Sequence, residues 1–325
     1  MASPSRLLFV GELEPGLYEA LVTDELAARL AALEHVTPQQ GELDTAEAPD
    51  RIASHISRQI ERALRDVKEV DRLEVGTAVA RELLTRLADL TDQEPQDLPV
   101  YPATVLHAIL GTRPDGTPAP FALPLIPLLD TTLLTNAKGE PSLWNQLISE
   151  IGSSDRIDVV MAFIRLSGIR PLVDALAEHC AAGKSLRILT TTYTGSTERA
   201  ALDKLIALGA DVRISYDVST TRLHAKAWVF HRQTGFSTAY IGSSNLTMSA
   251  QVTGIEWNVR ASAARNPDVV SKFDAVFDSY WSNGDFLDYD PTQFDDHADQ
   301  QGRIDSGPHV ILSPIELRPY PFQER

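Results

Sequence analysis

The pattern of apolar and polar positions changes character about a third of the way along the chain. Over Leu17–Leu33, Ile52–Val67 and Thr77–Leu90, apolar residues recur at three- and four-residue intervals, the period of an amphipathic helix. The breaks around Thr37–Pro49 and Asp92–Pro99 carry Pro, Gln and acidic residues and are expected to be loops. From about Pro120 the period switches. Arg156–Ile164, Leu186–Thr192 and Val212–Ser215 read as strands, with helices at Ile169–Ala182 and Thr197–Leu208 between them. Strands alternating with helices predict a mostly parallel or mixed central sheet with helices on its faces. Leu223–Phe230 alternates, stops at a Gln233-Thr234-Gly235 turn and returns as Ser237–Ile241, a hairpin extending that sheet; Ile255–Ala261 is a third neighbouring strand. Asp268–Trp281 reads as a closing helix, and Asn283–Ser306, rich in Asp and poor in apolar residues, as a solvated linker. The expected fold is therefore α/β, a mixed sheet flanked by helices and preceded by a mainly helical N-terminal region.

Composition narrows the setting. A chain of 325 residues with 43% hydrophobic content can bury one large core or two modest ones. The longest apolar stretch, near Phe121–Leu134, is broken by Pro124, Pro127 and Asp130, so no membrane span or membrane partner is expected. The N-terminus shows no secretion signal. Cys180 is the single cysteine, which excludes an intrachain disulfide and a cysteine-rich metal site, and a reducing cytoplasm fits. His35, His55, His107, His179, His297 and His309 have no ligand spacing with Cys, Asp or Glu, so no metal or cofactor is expected for this chain.

The net charge of -16 opposes nucleic-acid binding, which draws on phosphate neutralisation. Its distribution softens that objection. Glu150–Arg265 holds 13 Lys or Arg against 10 Asp or Glu, whereas the first 149 residues hold 12 against 23 and Asn266–Gly307 holds 2 against 10. Arg156, Arg165, Arg170, Arg222, Arg232 and Arg260 are candidates for a local basic patch, or are scattered solvated charges.

The candidate chemistry sits in that balanced stretch: His224-Ala225-Lys226, then Gly242-Ser243-Ser244-Asn245, then Glu256. Two-residue spacing puts His224 and Lys226 on one face of their strand, Ser243 and Asn245 on one side while theirs persists, and Glu256 with Asn258. A neutral imidazole can attack phosphorus and form a phosphohistidine that water later opens. Lys226 and Asn245 would donate to the non-bridging oxygens, with Ser243 adding a hydroxyl. Glu256, bonded to the imidazole N–H, would fix the tautomer and stabilise the imidazolium. An acid for the leaving oxygen is missing from this set. Thr191, Thr192, Ser244 and Arg222 are candidate substrate-binding residues, since Thr190–Gly195 ends a strand and opens a helix whose amides can hold phosphate; N-capping by Ser196 or Thr197 accounts for the same residues. His231 lies close to this stretch in sequence and either assists proton transfer or is a structural hairpin residue.

These residues resemble the short signature of the phospholipase D superfamily: His-x-Lys, Gly-Ser-x-Asn and a following Glu, matched at His224, Lys226, Gly242, Ser243, Asn245 and Glu256. Members use two such motifs, one His as nucleophile and the other as acid. Only one is present here, which resembles the bacterial endonucleases that build one site across a homodimer two-fold; the acid would then be His224 of a second subunit. The longer signature has an Asp five residues after the Lys, and here that position is His231.

A second resemblance lies at the other end. Leu317-Arg318-Pro319-Tyr320-Pro321-Phe322-Gln323 is similar to the adenine-recognition motif that precedes the motor of superfamily 2 helicases, with Gln323 reading adenine. Bacterial helicases with a phospholipase D-like N-terminal domain also resemble this chain over Pro124–Pro141, Asp155–Gly168, Leu189–Gly195 and Leu223–Val259. No phosphate loop and no Asp-Glu-x-His occurs, so ATP and Mg would belong to a motor in cis outside this sequence. The implied organisation is a helical region at 1–118, a phospholipase D-like domain at 119–282, an acidic linker at 283–312 and the start of a motor at 313–325. The implied function is a metal-independent phosphodiesterase acting on nucleic acid, DNA in the first instance, as a homodimer in repair or defence. A non-catalytic guiding module that binds nucleic acid, and a lipid phosphodiesterase, are the alternatives.

Overall fold

The computed structural model describes residues 13–33, 37–118, 123–135, 142–217, 223–247 and 256–297. The chain divides into two compact units, Met1–Ile109 and Leu110–Arg325.

The first unit is helical, as the periodicity predicts. Helix α1 (Asp24–Ala31) begins at Thr23, whose hydroxyl accepts from the Leu26 N–H at 3.2 Å and satisfies one of the orphan donors of the first turn. It is shorter than the apolar pattern from Leu17 to Leu33 suggests. Helix α2 (Ala48–Asp66) carries Pro49 in its first turn, where the missing N–H costs nothing, and α3 (Glu69–Leu90) follows almost at once. Arg72 fixes that reversal by donating to the Leu64, Arg65 and Val67 carbonyls at 3.1, 3.3 and 3.2 Å, groups that the end of α2 leaves unpaired. Packing here is thin: in the three helices only Thr77 and Ala88 are buried.

The second unit is built on an eight-stranded mixed sheet. Its strands are β1 (Thr132–Leu134), β2 (Arg156–Met161), β3 (Ser185–Thr191), β4 (Asp211–Ser215), β5 (Lys226–His231), β6 (Thr238–Gly242), β7 (Asn258–Ser262) and β8 (Leu287–Asp288), in the spatial order β1-β7-β6-β5-β2-β3-β4-β8. β2, β3 and β4 are parallel; every other neighbouring pair is antiparallel. Parallel neighbours need crossovers, supplied by a helical segment ending in α6 (Val173–Ala181) and by α7 (Arg199–Leu208). The segment before α6 is not one helix, as the pattern over Ile169–Ala182 suggests, but a short α5 (Leu166–Ile169) and a 3-10 turn at Arg170–Leu172, where Pro171 interrupts the hydrogen-bond ladder. Mixed α/β architecture, flanking helices and a helical N-terminal region are thus all present as expected.

Alternation along the strands sorts the two faces. Ile157, Val159 and Met161 of β2 join Ile188, Val212, Trp228 and Phe230 in the main core, which also holds Leu147 and Ile151 of α4 (Leu143–Ser153). On the opposite face Val160 and Leu189 meet Phe277 of α8 (Pro267–Ser282).

Two ion-pair networks are built into these layers. Glu150, on α4 and fully buried, receives hydrogen bonds from Arg232 (2.5 Å), Arg260 (2.9 Å), Thr238 (2.8 Å) and Tyr240 (2.9 Å). Burial pushes the Glu150 carboxyl up, but the Arg232 and Arg260 guanidiniums win and hold it below the usual carboxylate range. Arg260 also donates to the Ile126, Pro127 and Asp130 carbonyls at 3.3, 3.0 and 2.7 Å, strapping that segment to β7. The basic patch anticipated from the sequence therefore loses two members: Arg260 and Arg232 are 0% and 8% exposed and neutralise a core carboxylate. On the α8 face, buried Asp158 accepts from Arg187 at 2.7 and 2.8 Å, and Arg187 lies over Phe277 and Trp281 at 4.7 and 5.3 Å.

The acidic segment starts inside the fold. Residues expected to be linker from 283 onward form β8, paired with Arg213 and Ile214 of β4, and a helical stretch at 291–297 that buries Phe294 in the main core. Three apolar anchors, Phe286, Tyr289 and Phe294, are too sparse to stand out from the Asp residues around them.

Candidate active site

Topology brings the motif residues to one end of the sheet. The carboxyl ends of β2 and β3 lie there; antiparallel β5 begins there, with Lys226 opposite Met161. β6 returns to the same end at Gly242, and β7 starts beside it, with Asn258 opposite Gly242. In open α/β sheets the carboxyl ends of parallel strands, where strand order reverses, leave a crevice for a ligand.

His224, just ahead of β5, is exposed, whereas Lys226 is 7% exposed. The Lys226 ammonium donates to the His224 carbonyl at 2.6 Å and lies 3.0 Å from the imidazole Nδ1. Desolvation lowers the Lys226 pKa, opposed by the negative charge of Glu256. The Phe163 ring meets the imidazole edge-on at 5.9 Å and lies 5.8 Å from the ammonium. An Nδ1 that faces an ammonium must accept, so the neutral ring in this arrangement carries its proton on Nε2.

Ser243 and Glu256 form the second pair, the hydroxyl donating to Glu256 Oε2. The sequence-based expectation had Glu256 bonded to the imidazole; in the structure its carboxylate accepts from Ser243 instead. Nor do Ser243 and Asn245 share a strand face, because β6 ends at Gly242 and the chain enters a loop. Asn245 Oδ1 accepts from the Phe163 N–H at 3.2 Å, and Leu246 exchanges backbone bonds with Phe163 (3.2 Å) and Arg165 (2.9 Å). Two glycines permit this packing: a Cβ on Gly168 would lie 2.0 Å from the Leu246 oxygen, and one on Gly242 would lie 2.2 Å from the Trp257 oxygen and 2.4 Å from Asn258 Oδ1.

Ser244 turns inward, 6% exposed, and accepts from Asn258 Nδ2 at 2.8 Å. Its hydroxyl braces the loop between Ser243 and Asn245. Asn258 is the partner that reading for chemistry passed over; its place on the Glu256 face was the available signal. Thr191 is fully buried, donating to the Ser215 carbonyl (3.0 Å) and accepting from the Tyr193 N–H (3.1 Å). Thr192 is 4% exposed, and its hydroxyl has no partner among the described residues. Helix α7 takes Glu198 as N-cap, so neither Ser196 nor Thr197 caps it; Thr197 bonds the Thr191 and Ala162 carbonyls at 2.9 and 3.3 Å. Arg222 and Gln323 lie outside the described residues.

His231 takes no part in this end of the sheet. It faces Arg156 across the β2–β5 ladder, five residues from the Met161–Lys226 pair, a separation of about 16 Å at strand rise. Its Nε2 lies 2.8 Å from Asp158 Oδ2 and 3.5 Å from Asp274 Oδ1. Asp158, His231 and Asp274 could geometrically gather a metal ion. Arg187 and Arg156 already neutralise Asp158, however, and a dication would have to displace or oppose two guanidiniums. His231 is the structural residue of the two readings.

Residues 147–281 match a family model described as cardiolipin synthase, PLD-like domain. No curated protein matches the chain. Among solved structures, Nuc, a phospholipase D family member from Salmonella typhimurium, is 19% identical over 49% of this chain and 99% of its own, with a TM-score of 0.39. NucT from Helicobacter pylori is 13% identical over the same shares, also at 0.39. Polyphosphate kinase from Porphyromonas gingivalis is 12% identical over 46% of this chain and 26% of its own, at 0.36. The family match spans every side chain placed at the strand ends above, so the stretch that carries them, residues 147–281, is similar to a phospholipase D-like domain.

Proposed function

We propose that this domain is a metal-independent phosphodiesterase acting on nucleic acid. The observation that carries the reading is the meeting of His224 with Lys226, and of Ser243 with Glu256, at one end of the sheet within a phospholipase D-like match. His224 attacks phosphorus, the bond to the leaving oxygen breaks, and a phosphohistidine forms that water opens. Lys226 and Asn245 donate to the non-bridging oxygens. Attack through Nε2 needs the tautomer protonated on Nδ1. Substrate phosphate favours it by drawing the Lys226 ammonium away from Nδ1, and Glu256 is the carboxylate at hand to accept the Nδ1 proton. The leaving oxygen takes its proton from His224 of a second copy, so the working form is a homodimer.

Purified protein incubated in EDTA with labelled single- and double-stranded DNA and RNA tests the reading. Wild type is expected to cut, with a bell-shaped pH profile, and His224→Ala is not. Acid-labile, alkali-stable label on His224 would identify the intermediate. Binding without turnover, unchanged by His224→Ala, would instead mark a guiding module, and release of a headgroup from phospholipid vesicles a lipid enzyme. We further propose that the domain serves a helicase motor in cis, on the resemblance carried by Leu317–Gln323, which lies outside the described residues. Immunodetection of the native polypeptide at the size of this chain alone would end that proposal.

A further inference from the structure

Trp257 follows the candidate catalytic Glu256 directly, and its side chain is 60% exposed. Its backbone is fixed by the active-site loop: the Ser243 N–H donates to the Trp257 carbonyl at 3.1 Å, and the Trp257 N–H donates to Ser243 Oγ at 3.1 Å. Gly242 packs so closely that any Cβ there would strike the Trp257 oxygen. The indole is therefore displayed on a rigid frame one residue from the chemistry. Beyond it the sheet presents an apolar row. Leu133, Val259 and Ile241 are directly paired across β1, β7 and β6, share one face, and are 45%, 44% and 40% exposed. Alternation continued one residue ahead of β7 sets Trp257 at the site end of this row, on the sheet face opposite Lys226 and Asn258. Exposed aromatic and aliphatic groups that adjoin one another mark a surface that binds something.

Charge decides what kind of substrate suits this rim. Double-stranded nucleic acid is held mainly by neutralising many phosphates, and here Arg232 and Arg260 are spent on Glu150 while the whole chain carries -16. Among the described residues, the cations close to the loop are Lys226 and exposed Arg165, whose N–H bonds the Leu246 carbonyl. With so few, affinity must come from elsewhere, and an indole offers stacking, which is available only to a base free of its partner strand. We propose that Trp257 is a stacking platform for an unpaired base flanking the scissile phosphate, with the Leu133–Val259–Ile241 row extending the apolar contact, and that this selects single-stranded nucleic acid. The inference rests on the phosphodiesterase reading above.

The test uses the chain's own fluorescence. Of its four tryptophans, Trp257 is the exposed one, so quenching by an oligonucleotide reports on it directly. In a His224→Ala background, a single-stranded oligonucleotide is expected to quench, and its duplex at equal strand concentration is not. Trp257→Ala should weaken single-strand binding, followed by anisotropy, by roughly tenfold to a hundredfold, with Trp257→Phe retaining most of it. Equal binding by Trp257→Ala and its parent overturns the platform while leaving the phosphodiesterase reading intact; failure of the wild type to bind or cut any nucleic acid sinks both. Two further outcomes also overturn the platform. One is conversion of a dimer to a monomer by Trp257→Ala in sedimentation, which makes the face a subunit contact. The other is quenching by phospholipid vesicles but not by oligonucleotide.

Discussion

Lys226 is where local environment and chemistry meet most directly. Nearly buried, it has a lowered pKa because desolvation outweighs the attraction of Glu256. In the proposed reaction only the ammonium can hold a phosphate oxygen, so the free protein would lose this donor as pH rises through a value below the ordinary 10.5. A further alkaline break in kcat/KM, beyond the limb set by the imidazolium acid of the second copy, is expected on that side of 10.5 and should be absent in Lys226→Arg, whose guanidinium does not titrate. Superimposable alkaline limbs for the two proteins would remove Lys226 from the role.

At the scale of elements, the buried Glu150 network joins α4 to β6, β7 and the segment after β5. Glu150→Gln keeps the shape but removes the charge shared by Arg232 and Arg260, and breaking a buried pair costs about 3–5 kcal/mol. The sign of the acid effect follows from the lowered pKa. Glu150 stabilises the fold fully above its unfolded value, near 4.5, and that contribution is lost as pH falls from there through the depressed folded value. Urea midpoints from pH 7 to pH 3 should drop more steeply for wild type than for Glu150→Gln; parallel curves would show the network to be energetically idle. This network was also the least legible part of the sequence. Strands β2 to β4 were legible as short apolar runs between helical patterns, β5 and β6 by alternation and the Gln233–Gly235 turn, and the His224, Lys226, Ser243, Asn245 and Glu256 set by spacing. By contrast, partners such as Glu150 and Arg260 lie 110 positions apart, and no local pattern says which arginine points inward. The same limit explains Glu256, whose strand was foreseen but whose bond to Ser243 depends on where β6 stops.

For the whole molecule, a net charge of -16 combined with inward-facing arginines leaves little to grip a polyanion. Binding of a single-stranded oligonucleotide should consequently depend weakly on salt, with a log–log slope of about -0.7 to -1.4, as for one or two neutralised phosphates. A slope near -6, measured by titration between low and moderate salt, would require a basic track that the described residues do not provide.

The ends of the sheet bear on how two copies could meet. β1 is three residues long and β8 two, so each outermost strand exposes only a short run of backbone donors and acceptors. Continuing the sheet from one molecule into another would add few hydrogen bonds at either margin. Stubby borders of this kind also guard against runaway strand-to-strand stacking, the common hazard of a wide sheet. In the proposed dimer, pairing of subunits would thereby be steered to side-chain surfaces, among them the strand tips where His224 stands and a neighbour's imidazole would have to arrive.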